Sequence, residues 1–214
     1  MSNEFIKRLL SSIILIPLAL FFIIKGSYLF IIFISICFCL ISYEWHNISK
    51  KKNYHIPGFI FLFFSFYTIY KLRILPGNLS NDYWFFLFLT IICVSTDIGG
   101  YVFGKIFRGP KLTKLSPNKT YSGMIGSFFL SLISSTIYIN FSINIEFSLK
   151  LIIFIILVSS ISQIGDIIIS YFKRRSKIKD TSKLIPGHGG LLDRVDGMLF
   201  AFPFSYLVIL LVSI

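Results

Sequence analysis

Leu149-Lys-Leu-Ile-Ile-Phe-Ile-Ile-Leu-Val-Ser-Ser-Ile-Ser-Gln-Ile-Gly-Asp-Ile-Ile-Ile-Ser-Tyr171 is the stretch that decides the fold. Its apolar residues run on continuously instead of alternating. At about 1.5 Å of rise per residue the run is long enough to cross a hydrocarbon core of about 30 Å. Backbone groups in lipid find no water, so such a run has to close its hydrogen bonds within itself, as a helix does. Asp166 stands near the end of this helix. An ionisable side chain there is expensive and is a functional candidate by default, with a paired structural carboxylate as the plain alternative.

Working outward, six more apolar segments can be marked: Leu9–Ile24, Tyr28–Tyr43, Pro57–Tyr70, Tyr83–Phe103, Met124–Ile139 and Met198–Ile214. Across 214 residues, 55% are hydrophobic and 14% charged, with mean hydropathy +0.81. A soluble domain carries roughly 25% charged residues. The balance excludes a soluble globular protein, a disordered chain and a peripheral protein with one anchor. The expectation is an all-α, polytopic transmembrane bundle of about seven spans. It would form one integral domain over 1–214, with N-terminal spans in 1–80 and a catalytic part in 81–214. No small-residue cleavage site follows Ile24, so the first segment reads as a retained helix. Cys37, Cys39 and Cys93 all lie in apolar runs, with no partner at metal-ligand or disulfide spacing.

Net charge is +12. In a soluble protein that would raise nucleic acid as a partner; here the position of the charges matters more. With the N-terminus in the cytoplasm, 17 of the 21 Lys and Arg fall on the inner side, and only Lys25, Lys71, Arg73 and Lys150 fall outside. This alternation supports seven spans, and an eighth, re-entrant segment would not disturb it. The location expected is the inner (cytoplasmic) membrane, multi-pass, with the active site on the cytoplasmic face. The positive-inside rule accounts for most of the bias. The loops 104–123 and 172–197 exceed it: twelve cations are interleaved there with Gly, Pro and His, which suits an anionic ligand such as phosphates, nucleotide or lipid headgroups.

Acidic residues are scarce. Glu4, Asp82 and Glu146 lie in ends or loops and read as solvated. Glu44, before Trp45 at a helix end, reads as interfacial. Asp97 lies, like Asp166, inside an apolar helix. Downstream of Asp166 come Lys173, Arg174, Arg175, Lys177 and Lys179, then Pro186-Gly187-His188-Gly189-Gly190, then Asp193-Arg194-Val195-Asp196. Glycines let backbone N–H groups approach an anion closely. If the last helix begins near 191, Asp193 and Asp196 share a face at i, i+3. Carboxylates beside cations suit a divalent metal that neutralises phosphates. Gly99-x4-Gly104-Lys105 comes close to a P-loop but lacks the following Ser/Thr and a preceding strand. Gly100 and Gly104 also form a GxxxG, a motif for close helix packing.

Ser170-x-Phe172-Lys173-Arg174-x4-Lys179-Asp180-x-Ser182-x2-Ile185-Pro186-x-His188-Gly189-Gly190-Leu191-x-Asp193-Arg194-Val195-Asp196 resembles the signature of phosphatidate cytidylyltransferases, the CDP-diacylglycerol synthases, over all 27 residues. The blocks Asp97…Gly104-Lys105 and Ser116-Pro117-x-Lys119-Thr120 resemble the family in the same order, as does Glu44-Trp45. One departure is Ser122, where the family usually has Glu. The chain is also short for the family, with any shortfall in the N-terminal spans. The resemblance implies that CTP and phosphatidic acid react, with Mg²⁺, to CDP-diacylglycerol and pyrophosphate. A phosphate monoester has a second pKa near ~6, so phosphatidate is largely dianionic at pH 7 and needs no protein base to attack CTP. On this reading the catalytic residues are Asp166, Asp193, Lys173 and Arg194. The substrate-binding residues are Asp97, Ser116, Lys119, Arg174, Lys179, His188, Gly189 and Gly190. Mg²⁺ is assigned to Asp166, Asp193 and Asp196, with Asp196 in the lesser role.

Expected partners are CTP, phosphatidic acid and membrane lipids, not nucleic acid. The GxxxG is compatible with a homodimer. The alternatives are a related lipid-phosphate cytidylyltransferase or polyprenol kinase, and an ion-coupled transporter using Asp97 and Asp166. A transporter predicts symmetry between the chain halves, and no internal repeat is visible. The D-G-x2-A-R pattern of CDP-alcohol phosphotransferases fails at Asp196-Gly197-Met198-Leu199-Phe200-Ala201, which has no Arg in place.

Overall fold

The computed structural model describes residues 3–74, 83–113, 116, 119–142, 148–187 and 189–212, without the side chains of residues 3–9, 142 and 212. Expectations at Asp82, Lys114, Pro117, Glu146 and His188, and for the side chains of Glu4, Lys7 and Arg8, fall outside that description.

Eight helices follow one another: α1 (Asn3–Lys25), α2 (Ser27–Ser49), α3 (His55–Ile74), α4 (Trp84–Phe107), α5 (Tyr121–Ser142), α6 (Leu149–Arg175), the single turn α7 (Leu192–Val195) and α8 (Met198–Val212). Each apolar segment of the sequence corresponds to one long helix. Among the described residues no sheet forms; Lys111–Thr120 and Ile185–Gly189 make isolated bridges. By length and composition α2 to α6 can each cross a membrane, and the protein is a multi-pass membrane protein. The apolar stretches Leu10–Lys25 and Met198–Leu211 are shorter. Large apolar side chains such as Phe63, Phe129 and Ile153 are exposed, as lipid-facing residues are.

Some ends move outward. Lys71 and Arg73 belong to the last turn of α3, not to a loop. Hydropathy stops at a cation, but a helix need not. Lys71 lies over the Tyr67 ring at 5.6 Å. Arg73 is 8% exposed and donates to the carbonyls of Ile23 (2.9 Å) and Ile24 (3.4 Å) at the end of α1. Likewise Gly104 and Lys105 lie within α4, so the P-loop resemblance is helical sequence. The last helix does not run on from residue 191; it starts afresh at Met198.

The central contact is α4 against α5. A Cβ at Gly99 would stand 2.5 Å from the Gly126 carbonyl oxygen, and one at Gly123 would stand 2.7 Å from that of Gly100. Only hydrogen fits, so the backbones touch. The GxxxG is therefore occupied within the chain by α5 and carries no argument for a homodimer. On the other side α8 packs on α3 and α6. Ser65 Oγ donates to the Leu199 carbonyl at 2.8 Å, and Phe61 meets Phe200 with centroids 4.5 Å apart. The α2–α3 turn is pinned to the end of α6, where Ser176 Oγ donates to the Ile48 carbonyl at 2.7 Å.

Candidate active site

Where α4 and α6 end and α5 and α7 begin, a cavity of about 380 Å³ opens. Asp97 reaches it from α4. Ser116, Lys119 and Thr120 come from the connection before α5. Asp166 and Lys173 come from α6, Asp193 and Arg194 from α7, and Asp180 and Asp196 from the segments beside α7. Asp166 and Lys173 are seven residues apart, two helical turns, and so share one face of α6. Arg174, one residue on, is rotated away and exposed.

Two ion pairs form among the described residues, and neither includes Asp180. Lys119 Nζ lies 2.5 Å from Asp166 Oδ2, with the two side chains 24% and 29% exposed. It also approaches the Gln163 carbonyl at 3.5 Å. Lys173 Nζ lies 2.7 Å from Asp193 Oδ1, at 13% and 6% exposure. The first pair is open to the cavity; the second is nearly sealed. Opening a sealed pair is the dearer change, about 3–5 kcal/mol when one partner is removed.

Asp193 Oδ2 accepts from the backbone N–H of Thr181 (2.8 Å) and the Gly190 N–H (3.1 Å), and the Thr181 hydroxyl lies within reach at 3.1 Å. Burial alone would raise its carboxyl, but the Lys173 hydrogen bond, the backbone N–H donors and the Lys173 charge hold it below the usual carboxylate range. Asp196 goes the other way. Burial first, then the negative charges of Asp166 and Asp97, push it well above that range. Asp97, Asp166 and Asp196 thus line the same cavity.

Glu44 was expected at the interface, yet it is 0% exposed. One oxygen accepts from Ser182 Oγ (2.7 Å) and the Leu191 N–H (2.9 Å); the other accepts from Thr181 Oγ1 (2.8 Å) and the Leu192 N–H (2.8 Å). Residues 181–182 and 191–192 thus close on it from two sides. A side chain at Gly190 would collide with the Thr181 hydroxyl and the Glu44 carboxylate. The signal for Glu44 was present in the sequence: it is an acidic residue at the end of an apolar run, as Asp166 is.

The structure brings Asp97, Ser116, Lys119, Asp166, Lys173, Asp193, Arg194 and Asp196 to one cavity. Arg174 and Lys179 are exposed and do not line it. Gly189 and Gly190 do not line it either. Their backbone serves the protein's own anion: Gly190 donates to Asp193, and Gly189, at φ +84°, packs against Asp193 and Asp180. Among the described residues no three His, Cys, Asp or Glu side chains are grouped closely enough to hold a metal ion by themselves.

The Cytidylyltransferase family matches the chain over residues 6–75 and 58–212. A phosphatidate cytidylyltransferase of Rickettsia conorii is 35% identical over 199 residues, covering 90% of this chain and 85% of that protein. One from Staphylococcus saprophyticus is 37% identical over 184 residues, covering 85% and 68%. One from Brucella suis is 33% identical over 172 residues, covering 80% and 61%.

Proposed function

Because the chain belongs to the phosphatidate cytidylyltransferase, or CDP-diacylglycerol synthase, family, we propose that it transfers the cytidylyl group of CTP to phosphatidic acid, releasing pyrophosphate and leaving CDP-diacylglycerol in the membrane. The observation that carries this reading is the meeting of Lys119, Lys173 and Arg194 with Asp97, Asp166, Asp193 and Asp196 around one cavity at a single end of the bundle. That end is the cytoplasmic one, where CTP is, by the positive-inside rule.

A phosphatidate oxygen attacks the α-phosphorus of CTP, and pyrophosphate leaves in line. The nucleophile arrives already dianionic, so the protein's work is positioning and neutralising charge. Lys119 is the readiest cation: its pair with Asp166 is partly open, and an incoming phosphate can compete for its ammonium. Lys173, held by Asp193, is a fixed charge in the cavity lining. Arg194 offers a planar fork to two phosphate oxygens.

Mg²⁺ fits this cavity. Asp166 and Asp196 both line it and offer it hard carboxylate oxygens, the donor type Mg²⁺ takes. Mg²⁺ commonly takes one or two carboxylates and completes its shell with phosphates and water, so a cage of three side chains is not required. Asp166 and Asp196 are the residues that would hold it, with Asp193 already occupied by the Lys173 ammonium and two backbone N–H donors. When bound, the ion would neutralise charge on the triphosphate.

Purified protein in detergent, given labelled CTP, phosphatidate and Mg²⁺, should form labelled CDP-diacylglycerol and pyrophosphate in equal amounts. Polyprenol with CTP should give no phosphorylated product. Transfer to polyprenol, or no transfer to phosphatidate, overturns the assignment.

A further inference from the structure

We infer that Glu44 is a positioning residue for the reaction proposed above, acting on Asp193 through Thr181. Glu44 does not line the cavity, and no cation is among the four donors that satisfy it. It therefore neither binds substrate nor balances a charge in the site. What it holds is the loop. Its donors come from both ends of that segment: Thr181 and Ser182 before the glycine turn, Leu191 and Leu192 after it.

Thr181 is the link. Its hydroxyl has one proton and two carboxylates within reach, Glu44 at 2.8 Å and Asp193 at 3.1 Å. Its N–H, 2.8 Å from Asp193 Oδ2, is the shortest of the three contacts on that oxygen. Fixing Thr181 against Glu44 thus fixes the donor that aims Asp193. Asp193 in turn sets where Lys173 puts its ammonium, 2.7 Å away in the cavity wall. The chain of contact runs from a helix in the first quarter of the protein to a cation facing the phosphates. Glycine at 190 is what allows the Glu44 carboxylate to come this close.

Glu44→Gln keeps the size but turns one acceptor into a donor. Either way round, the amide N–H₂ faces two donors, one hydroxyl before the glycine turn and one backbone N–H after it, so a contact on each side of the turn is disturbed. Misplacing a reacting group by about 1 Å costs on the order of 100-fold in rate. The experiment compares Glu44→Gln, Glu44→Asp, Thr181→Val and Thr181→Ser in the full-length protein for kcat, both KM values, melting temperature and trypsin cleavage at Lys183.

Expected are a kcat about 100-fold lower in Glu44→Gln with KM values little changed, a matching loss in Thr181→Val, and recovery of most of the rate in Thr181→Ser. The Glu44→Gln/Thr181→Val double variant should fall no further than the worse single, because both act on Asp193. Wild-type kcat in folded Glu44→Gln, or multiplying losses in the double, overturns the proposal. If Glu44→Gln does not fold, the two Thr181 variants decide: equal rates in Val and Ser overturn it, and a loss in Val alone supports it. If the parent makes no CDP-diacylglycerol, the assigned reaction fails separately. The positioning contact is then judged by trypsin, where faster cleavage at Lys183 in Glu44→Gln or Thr181→Val supports it and unchanged cleavage overturns it.

Discussion

Replacing Asp166 with Asn removes a charge and keeps the shape. Asp166 is 29% exposed, pairs with the partly open Lys119 and accepts a long hydrogen bond from Ser170 at 3.4 Å, so the fold should lose little, about 0–1 kcal/mol as for an exposed pair. Turnover should fall by several orders of magnitude, read as kcat at saturating Mg²⁺ beside an unchanged melting temperature; normal turnover would move the metal site elsewhere, to Asp97 first. Asp193→Asn should differ. It breaks a sealed pair, so activity and melting temperature should drop together, with a stability loss of about 3–5 kcal/mol. Arg194→Lys exchanges a planar two-pronged donor for a point charge, and the ratio kcat/KM for CTP or phosphatidate should fall at least about tenfold. Unchanged kinetics for both would remove the two-pronged role. Asp97 and Asp166 were legible in the sequence because a carboxylate in an apolar run is itself a signal. Glu44 met the same rule, but Trp45 beside it suggested an interface. Its burial depends on residues 137 to 148 positions away, and no local pattern carries that. Lys173 and Arg174 are neighbours in one cationic run, and only the turn of α6 separates the inward from the outward one.

At the scale of elements, the α4–α5 crossing is the contact with least room. Gly99→Leu forces a side chain into the Gly126 carbonyl, against backbone that cannot rotate away. The expected cost is about 1–3 kcal/mol or more, since overpacking at a backbone contact has few ways to relax. It should appear as a lower melting temperature in detergent, with activity falling in proportion because Asp97 and Gly100 ride on the same helix. A melting temperature equal to that of the parent would mean the two helices are not in contact there. Continuous apolar runs gave the seven long helices with small errors at their ends, and those errors have one cause. Hydropathy treats Lys71, Arg73 and Lys105 as loop, whereas a helix carries a cation in its last turn with its stem along the bundle. The one-turn α7 had no hydropathy signal and was not marked: residues from 191 on read as the start of the last helix, which begins instead at Met198.

For the whole molecule, orientation is the property to test. Cysteine at Lys183, in a background without Cys37, Cys39 and Cys93, should react with an impermeant reagent only from the cytoplasmic side. Lys183 is exposed, whereas its neighbour Ser182 is tied to Glu44 and is the worse place for a reporter. Labelling from outside intact cells would invert the bundle and remove the argument that the cavity meets cytoplasmic CTP.

Glu44 also has a history in time. Its donors Leu191 and Leu192 lie 147 and 148 residues after it. At roughly 5–20 residues per second of synthesis, they emerge about 7–30 seconds later. Through that interval α2 carries a carboxylate that nothing yet satisfies, so the end of α2 has to stay hydrated at the membrane surface. Closing the loop over Glu44 is then a late act of biogenesis, and this part of the site can form only once α7 has been made.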